Sequence, residues 1–187
     1  MGRWVPGARG RLQRAAFDLF AERGFEQTTV AEIAARAELT ERTFFRHFAD
    51  KREVLFAGQE ELTARIVVAL AEAPAELSAL DAAVVAVGAS AEIFGDRPDG
   101  PRARQAVINA HPELRERELI KMEGLVAALS TGLEGRGVPG AAAALAASSA
   151  VAVFRMAFER WLRSDDGRDL GTCIREALGE LRAVTAG

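Results

Sequence analysis

The sequence predicts an all-α protein of about nine helices. From Lys51 onward, apolar residues keep helical spacing, and no segment alternates apolar and polar side chains as a half-buried strand does. Tyr, which is favoured in strands, is absent from the whole chain. Clusters of Gly and Pro interrupt the helical pattern at intervals and therefore set the helix boundaries.

The first two predicted helices lie before residue 38. The segment RLQRAAFDLFAERGFEQ is amphipathic, and its helix ends around Phe20 and Gly24. A short second helix follows Thr29, which forms with Glu32 the S/T-x-x-E pattern that satisfies free amides at a helix start. The apolar residues of this second helix recur at helical spacing, namely Val30, Ile33, Ala34 and Ala37.

A third short helix follows a brief connector at residues 38–40. Thr40 is placed to cap this helix. Its three aromatic residues, Phe44, Phe45 and Phe48, cannot all point the same way, so one flank of the helix must stay exposed. Two short helices around a tight turn are typical of a helix-turn-helix DNA-binding motif.

The exposed flank of the third helix carries hydrogen-bond donors. Its members are Arg42, Thr43, Arg46 and His47. Such side chains donate to phosphates, and Arg can also bond the edge of a guanine. The flank is therefore the predicted DNA-contacting surface.

A fourth, longer helix is predicted from Asp50 and Glu53, which repeat the capping pattern, to about Ala73. Lys51 and Arg52 fall in its first turn, where a cation is poorly placed relative to the helix dipole. A phosphate partner would explain cations at this position.

Five further helices are predicted beyond Pro74. Their ranges are about 78–95, 102–109, 113–133, 141–162 and 170–184. Ser78 with Asp81 starts the first of these helices, and Pro112 opens the third. The predicted loops between them are DRPDGP at 96–101, the Gly- and Pro-rich residues 135–140 and the polar residues 164–168.

Length and composition favour a cytoplasmic protein without cofactors. With 187 residues and 49% hydrophobic content, the chain can bury one or two helical cores without disulfides or metals. The single cysteine, Cys173, cannot form an intramolecular disulfide. No secretory signal is found, and the apolar run from Ala141 to Phe158 is too short to predict a membrane span.

The net charge of −3 at first argues against a polyanionic partner, but the charge is unevenly distributed. Residues 1–56 contain ten Lys and Arg against eight Asp and Glu, whereas the remainder contains fourteen against nineteen. Four basic residues cluster at the start, namely Arg3, Arg9, Arg11 and Arg14. They form either an arm that reaches the DNA backbone or minor groove, or a merely solvated basic terminus.

These motifs in this order resemble the amino-terminal domain of TetR-family (tetracycline-repressor-like) transcriptional regulators. The resemblance covers roughly the first third of the chain. It rests on the first helix with Gly24-Phe25, the paired Thr28-Thr29, Ile33-Ala34, the aromatic pair, Phe48 and Lys51. It implies a helix-turn-helix domain at 1–55 and a helical effector-binding and dimerisation domain at 56–187.

Two positions depart from the family pattern. The family usually has Gly where this chain has Glu38, and a turn residue with positive φ is strained without Gly. The family usually has Tyr where this chain has Phe45, so a hydroxyl that commonly touches a phosphate is missing. Phosphate anchoring should then depend more on Arg46, His47 and Lys51.

The resemblance implies a ligand-responsive regulator that binds double-stranded DNA. The expected activity is repression at a palindromic operator, with release by a small hydrophobic effector of unknown identity. The DNA-binding residues expected from the motif are Thr29, Thr40, Arg42, Thr43, Phe45, Arg46, His47 and Lys51.

The resemblance also implies an effector pocket in the body, around the fourth helix. Candidate apolar lining residues are Ile66, Leu70, Val87, Phe94, Ile108, Met122, Val126 and Phe154, with Gln105, Asn109 and His111 as polar anchors. Each apolar member is also an ordinary core candidate. His111 beside Pro112 is placed to cap free helix carbonyls, and the two His and one Cys of the chain make no metal-binding cluster.

The resemblance implies a homodimer that forms through the last two helices. Small residues there allow close helix approach, and large apolar residues add contact area. The candidates are Ala142, Ala146, Ser149, Ala150, Phe158 and Trp161, with Phe154 at the same spacing. The alternative is that these residues line the core of the monomer.

Other classes of function fit the sequence less well. It contains no G-x-S-x-G elbow, P-loop or dinucleotide-binding fingerprint, which argues against an enzyme. The main alternative is a helical dimeric small-molecule-binding or scaffold protein that binds DNA weakly or not at all. An activator would share the chemistry of a repressor and differ only in the position of its operator.

Overall fold

The computed structural model describes residues 7–94, 98–165 and 167–186, and the regular structure in these ranges is entirely helical. The all-α prediction is confirmed. The described residues form nine α-helices of seven or more residues, one four-residue helix, α6, and one 3-10 helix between α3 and α4. The helices are α1 (Ala8–Arg23), α2 (Val30–Arg36), α3 (Glu41–His47), the 3-10 helix (Arg52–Phe56), α4 (Gln59–Glu72), α5 (Ala79–Gly88), α6 (Ala91–Phe94), α7 (Asp99–Ala110), α8 (Pro112–Gly135), α9 (Gly140–Arg163) and α10 (Leu170–Thr185).

The chain packs into two compact units. The first unit holds the described part of residues 1–58 together with 103–115, and the second holds the described parts of 59–102 and 116–187. Helices α7 and α8 therefore each contribute residues to both units. The boundary after residue 55 that the sequence suggests stays a prediction.

The first unit has its own apolar core. Helix α1 buries one face, including Leu12 and Leu19, against Ile33 of α2 and Phe44 of α3. The 3-10 helix adds three buried side chains, and the 103–115 segment adds Ile108 and Leu114. The members of this core are Leu12, Ala15, Ala16, Leu19, Phe20, Phe25, Ile33, Ala37, Phe44, Phe48, Val54, Leu55, Phe56, Ile108 and Leu114.

The core of the second unit is built from α4, α5, α8, α9 and α10. Helix α9 supplies nine buried residues and packs against α5 and α10. Gly132 lets α8 approach α4, because a β-carbon on Gly132 would lie 2.7 Å from Cδ2 of Leu70, which is fully buried.

Helix α9 has the length and apolar composition that could cross a membrane. Its buried residues instead pack inside the second unit, among them Ala147, Phe154 and Trp161. That pattern is also typical of a core helix in a globular protein.

The predicted continuous helix from Asp50 to Ala73 is wrong. Oδ1 of Asp50 accepts hydrogen bonds from the amides of Arg52 (2.8 Å) and Glu53 (3.1 Å), as expected of a cap. The helix that follows, however, is only the 3-10 helix. Gly58, with φ 92°, then changes the chain direction before α4.

Two other boundaries also differ from the prediction. Ser78 caps α5 as expected, since its Oγ accepts a hydrogen bond from the Asp81 amide at 3.1 Å, but α5 ends at Gly88 and α6 is separate. The predicted loop at 96–101 is helical from Asp99 onward, because Pro101 fits the first turn of α7. Residues 95–97, and Asp166 of the loop predicted at 164–168, lie outside the described residues.

Glu38 adopts the strained backbone that the sequence predicts. Its φ is 55°, and no other non-glycine residue in the described ranges has a positive φ. The turn is held by hydrogen bonds from the Glu38 amide to Ala35 O (3.0 Å) and from the Leu39 amide to Ala34 O (2.9 Å). A β-carbon in this left-handed region costs about 1 kcal/mol or more.

Substitution Glu38→Gly should therefore raise the free energy of unfolding by about 0.5–1 kcal/mol, since strain relief outweighs the greater flexibility of unfolded Gly. Urea denaturation measured by circular dichroism tests this. Glu38→Ala is the matched control, because it removes the carboxylate but keeps the β-carbon. Equal stabilisation by both variants would show that charge, not backbone strain, is responsible.

Candidate nucleic-acid interface

The candidate nucleic-acid interface is carried by α2 and α3, and Thr side chains start both helices. Thr29 and Glu32 form a reciprocal capping box: Thr29 Oγ1 accepts from the Glu32 amide at 3.3 Å, and Glu32 Oε2 accepts from the Thr29 amide at 2.9 Å. Thr40 Oγ1 accepts from the Thr43 amide at 3.2 Å. Thr29 and Thr40, two of the three threonines predicted to bind DNA, are therefore helix caps.

Phe44, Phe45 and Phe48 divide between the core and the surface, as their spacing predicts. Phe44 and Phe48 are buried with their ring centroids 5.5 Å apart, and they fix α3 on the core of the first unit. Phe45 is 55% exposed and meets Phe44 edge to face. The buried pair therefore determines which flank of α3 faces solvent.

The solvent-facing flank carries two guanidinium groups. Arg42 and Arg46, one helical turn apart on the same face of α3, are exposed next to Phe45. Thr43 and His47 are half-buried. The Nε2 atom of His47 is shielded from solvent and has no hydrogen-bond partner among the described residues, so it is not presented as a phosphate donor in this conformation.

Lys51 has a structural role that its sequence position did not predict. Its ammonium group donates to the carbonyls of Phe25 (2.8 Å), Glu26 (3.3 Å) and Thr28 (3.1 Å) and lies 4.4 Å from the centre of the Phe25 ring. An ammonium has three N–H donors, and all three are used inside the protein. The expected contact between Lys51 and phosphate is therefore not available in this conformation.

The loop between α1 and α2, which holds the three carbonyls that Lys51 contacts, is also contacted from the junction of α7 and α8. The ring of His111, at the junction of these helices, meets the ring of Phe25 edge to face at 5.0 Å, and its Nε2 lies 3.4 Å from Glu26 Oε1. Its Nδ1 is 3.1 Å from the carbonyl of Val107, which confirms the predicted helix-capping role. Sequence reasoning missed the Phe25–His111 contact, for which local spacing gives no signal.

The basic residues of α1 are only partly available to a polyanion. The guanidinium of Arg9 lies 5.4 Å from the centre of the Phe48 ring. Arg11 and Arg14 border a shallow cleft of about 200 Å³ that also includes acidic side chains, namely Asp18 and Glu38. Arg3 lies outside the described residues. The described part of the arm is therefore a surface of mixed charge.

Two carboxylates stabilise the position and the start of α2. Glu22 makes a bidentate ion pair with Arg36, with both N–O distances 2.7 Å, and the Arg36 hydrogen bond holds the pKa of Glu22 below its ordinary value. The pKa of Glu32 is lowered by its hydrogen bonds from the amide and hydroxyl of Thr29. Both carboxylates therefore hold these contacts at neutral pH and lose them as the pH falls below their folded-state pKa values.

The candidate pocket residues fall into both units. Seven belong to the second unit, where Ile66, Leu70, Val87 and Phe154 are buried in its core and Phe94, Met122 and Val126 pack against it half-buried. Four belong to the first unit, namely Gln105, Ile108, Asn109 and His111.

The prediction that those four line a pocket in the body is not supported. Ile108 is fully buried in the core of the first unit. Gln105 Nε2 donates to Asn109 Oδ1 at 3.2 Å, one turn along α7. The error arose because apolar spacing alone does not show that α7 passes from one unit to the other.

Most of the predicted dimer residues lie in the core of the second unit. Ala146, Ala150 and Trp161 are buried, and Phe158 packs half-buried among other aromatic rings. This corrects the predicted face of α9, which turns inward. Of the predicted set, Ala142 is exposed and Ser149 is half-buried.

The exposed face of α9 carries a different stripe, made of large apolar and small residues. Leu145 is 70% exposed and Met156 is 55% exposed, with Ser148 and Ala152 exposed between them at helical spacing. Large apolar side chains with small residues between them form a surface on which a second helix can pack closely. An alanine-rich helix offers two faces of this kind, so the sequence did not distinguish them.

The described residues contain no group of three or more His, Cys, Asp or Glu side chains that could hold a metal ion. Cys173 is buried, and burial raises the pKa of its thiol.

Two family models match the chain. Residues 12–57 match the model of bacterial regulatory proteins of the tetR family, and residues 77–186 match the TetR-type MftR C-terminal domain. The first match covers α2 and α3 with most of α1 and the 3-10 helix. The second match covers more than half of the chain and nearly the whole second unit from α5 onward.

Two curated relatives align with part of the chain. The transcriptional regulator TcmR of Streptomyces glaucescens is 39% identical over 92 residues, which is 49% of this chain and 39% of TcmR. An HTH-type transcriptional repressor of Mycobacterium tuberculosis (strain ATCC 25618 / H37Rv) is 40% identical over 67 residues, or 35% of this chain and 36% of that protein. The chain thus aligns with less than half the length of either relative.

A solved structure shares the fold over nearly the whole chain. FadR of Bacillus subtilis, determined with stearoyl-CoA, aligns with a TM-score of 0.60 at 19% identity and covers 92% of this chain and 96% of its own. At that identity the likeness concerns the fold alone. Because the matched models account for both the helix-turn-helix and the larger carboxyl-terminal part, the chain belongs to the TetR family of bacterial regulatory proteins.

Proposed function

We propose that this protein is a cytoplasmic, ligand-responsive transcriptional repressor that binds a palindromic DNA operator as a homodimer. The observation that carries the proposal is the outer flank of α3, where Arg42, Phe45 and Arg46 are exposed while Phe44 and Phe48 anchor the helix. A rigidly held short helix that presents two guanidinium groups suits the major groove of B-DNA.

Contacts to DNA divide into two kinds. Arg46 and Arg42 have the reach and fork geometry for bidentate bonds to guanine or for phosphate contacts, and Thr43 can donate to either. Phe45 has no hydroxyl, so it can offer apolar contact to a thymine methyl group but no hydrogen bond to phosphate. Sequence selectivity should therefore depend chiefly on the two arginines.

The effector is expected to be a small molecule with a large apolar part. The second unit is rich in apolar side chains around α4, α5 and α9, and half-buried Phe94, Met122 and Val126 adjoin its core. The likeness to FadR, which was solved with stearoyl-CoA, is consistent with an acyl or similarly apolar ligand. Since α7 and α8 contribute to both units, we infer that they take part with α4 in relaying ligand binding.

Dimerisation is proposed through the exposed stripe of α9, from Leu145 to Met156, with α10 beside it. A two-fold symmetric pair of α3 helices would read two half-sites about one helical turn, roughly 34 Å, apart. A non-DNA-binding scaffold remains the alternative, because Glu38 and Phe45 depart from the family pattern. Repressor and activator differ only in operator position.

Selection of bound duplexes from a random pool tests the proposed function. Purified protein at moderate salt should enrich a palindrome whose half-sites are centred about 10 base pairs apart, or a multiple of one helical turn. Failure to enrich any sequence, with protein shown to be folded and free of co-purified ligand, would favour the scaffold alternative.

Arg46→Ala should weaken binding to the selected operator by about 1–3 kcal/mol if Arg46 bonds a base edge. Titration of labelled operator, followed by fluorescence anisotropy, gives the two dissociation constants. Arg65→Ala is the matched control, because it also removes one cation, but from the second unit, where Arg65 forms a 3.9 Å ion pair with Glu92. An equal loss in both variants would mean that net charge, not a specific contact, is responsible.

Leu145→Glu should convert the dimer into monomers, since a buried unpaired carboxylate in the centre of the interface costs several kcal/mol. Sedimentation equilibrium measures the change. Ile120→Glu places the same charge on an exposed apolar position of α8, where Ile120 is 64% exposed, and should leave the association unchanged. If Leu145→Glu stays dimeric, the α9 stripe is not the interface.

A further inference from the structure

The indole N–H of Trp161 is a buried donor without an acceptor. Trp161, on α9, is 1% exposed, and its Nε1 atom has no hydrogen-bond partner among the described residues. A buried donor left unpaired destabilises the folded state, so nearly all such groups in folded proteins are satisfied by protein, water or ligand. The position of this donor therefore requires a chemical explanation.

The surroundings of Trp161 are aromatic. The ring of Phe158 lies 5.7 Å from the Trp161 ring and the ring of Phe94 lies 6.1 Å away, while Phe154 completes the cluster at 5.7 Å from Phe158. An aromatic wall can pack against any flat or extended apolar group. It cannot supply a strong acceptor to the indole N–H.

One side of this aromatic cluster is formed by a weakly held segment. Phe94 belongs to the four-residue helix α6, which has no buried residue, and both Phe94 and Phe158 are half-buried. Displacing Phe94 would break its ring contacts with Phe154 (6.5 Å), Phe158 (5.1 Å) and Trp161 (6.1 Å), which an aromatic or extended apolar group of a ligand could replace. A ligand group that replaced the Phe94 ring would enter the aromatic cluster of Trp161 from this side.

We propose that Trp161 is the polar contact of the effector site and donates its indole hydrogen bond to a neutral carbonyl oxygen of the ligand. This inference rests on the proposed function, because it specifies the chemistry of the effector expected there. The acceptor is neutral, because a carboxylate among Phe94, Phe154 and Phe158 would lose its hydration without a counter-charge in this aromatic cluster. The ligand class is a ketone, ester, thioester or amide on an apolar skeleton.

A matched pair of small probes tests the carbonyl contact. Acetophenone carries the carbonyl group, and α-methylstyrene has nearly the same shape with a CH₂ in place of the oxygen. Because a net hydrogen bond changes a binding constant by a few-fold to about tenfold, acetophenone should bind roughly three- to tenfold more tightly. Titrations followed by ¹H–¹⁵N correlation spectra of the two tryptophan indoles in the full-length protein measure both affinities.

The spectra also report directly on the donor. The indole proton of Trp161 should move downfield with acetophenone and much less with α-methylstyrene, because ring-current effects are common to both probes. Trp161→Phe assigns the signal and should remove the difference in affinity. Trp4→Phe, which alters the only other tryptophan, should retain it.

Several outcomes would overturn the proposal. They are equal affinities for the two probes, an unmoved Trp161 signal at saturation, or no binding of acetophenone up to its solubility limit. If Trp161→Phe fails to fold, the chemical shifts of the Trp161 indole proton in the wild-type protein, compared between acetophenone and α-methylstyrene, still test the proposal. Because these titrations contain no DNA, a protein that selects no operator would contradict the proposed function without affecting this result.

Discussion

The ammonium group of Lys51 holds together the part of the first unit on which DNA recognition would depend. By donating to three carbonyls of the loop between α1 and α2, it connects the start of the 3-10 helix to the segment that positions the N-cap of α2. The loop is contacted from its other side by His111, through the ring of Phe25. The partly buried ammonium of Lys51 and the Phe25–His111 contact therefore help to hold the start of α2 in place.

The architecture could be predicted from sequence to a large extent because each helix has a local signal. The caps at Thr29, Thr40 and Ser78 form as their spacing requires, and the division of Phe44 from Phe45 follows from helical geometry alone. Local signals failed where two helices follow each other closely. The break at Gly58 falls in an otherwise continuous helical pattern of apolar residues. The apolar spacing therefore did not show that the helix is interrupted there.

The candidate sites were less predictable than the helices, because they depend on contacts between distant residues. Lys51 was interpreted from its place in the first turn of a predicted helix, yet its partners lie more than twenty residues earlier in the chain. In α9, both faces are built from small and large apolar residues, so composition could not show which face turns inward. Only packing against α5 and α10 assigns Trp161 to the interior and Leu145 to the surface.

The assignment of residues 103–115 to the first unit has a consequence for grafting the DNA-binding module onto another protein. Ile108 and Leu114 complete the core beneath the helix-turn-helix, although they follow the end of α3 at His47 by more than sixty residues in sequence. A DNA-binding module cut after Gly58 would expose the apolar surfaces that these two side chains cover. Grafting only the amino-terminal segment onto another protein would thus leave this core incomplete, and a compatible graft needs both segments, which are encoded at separate places in the gene.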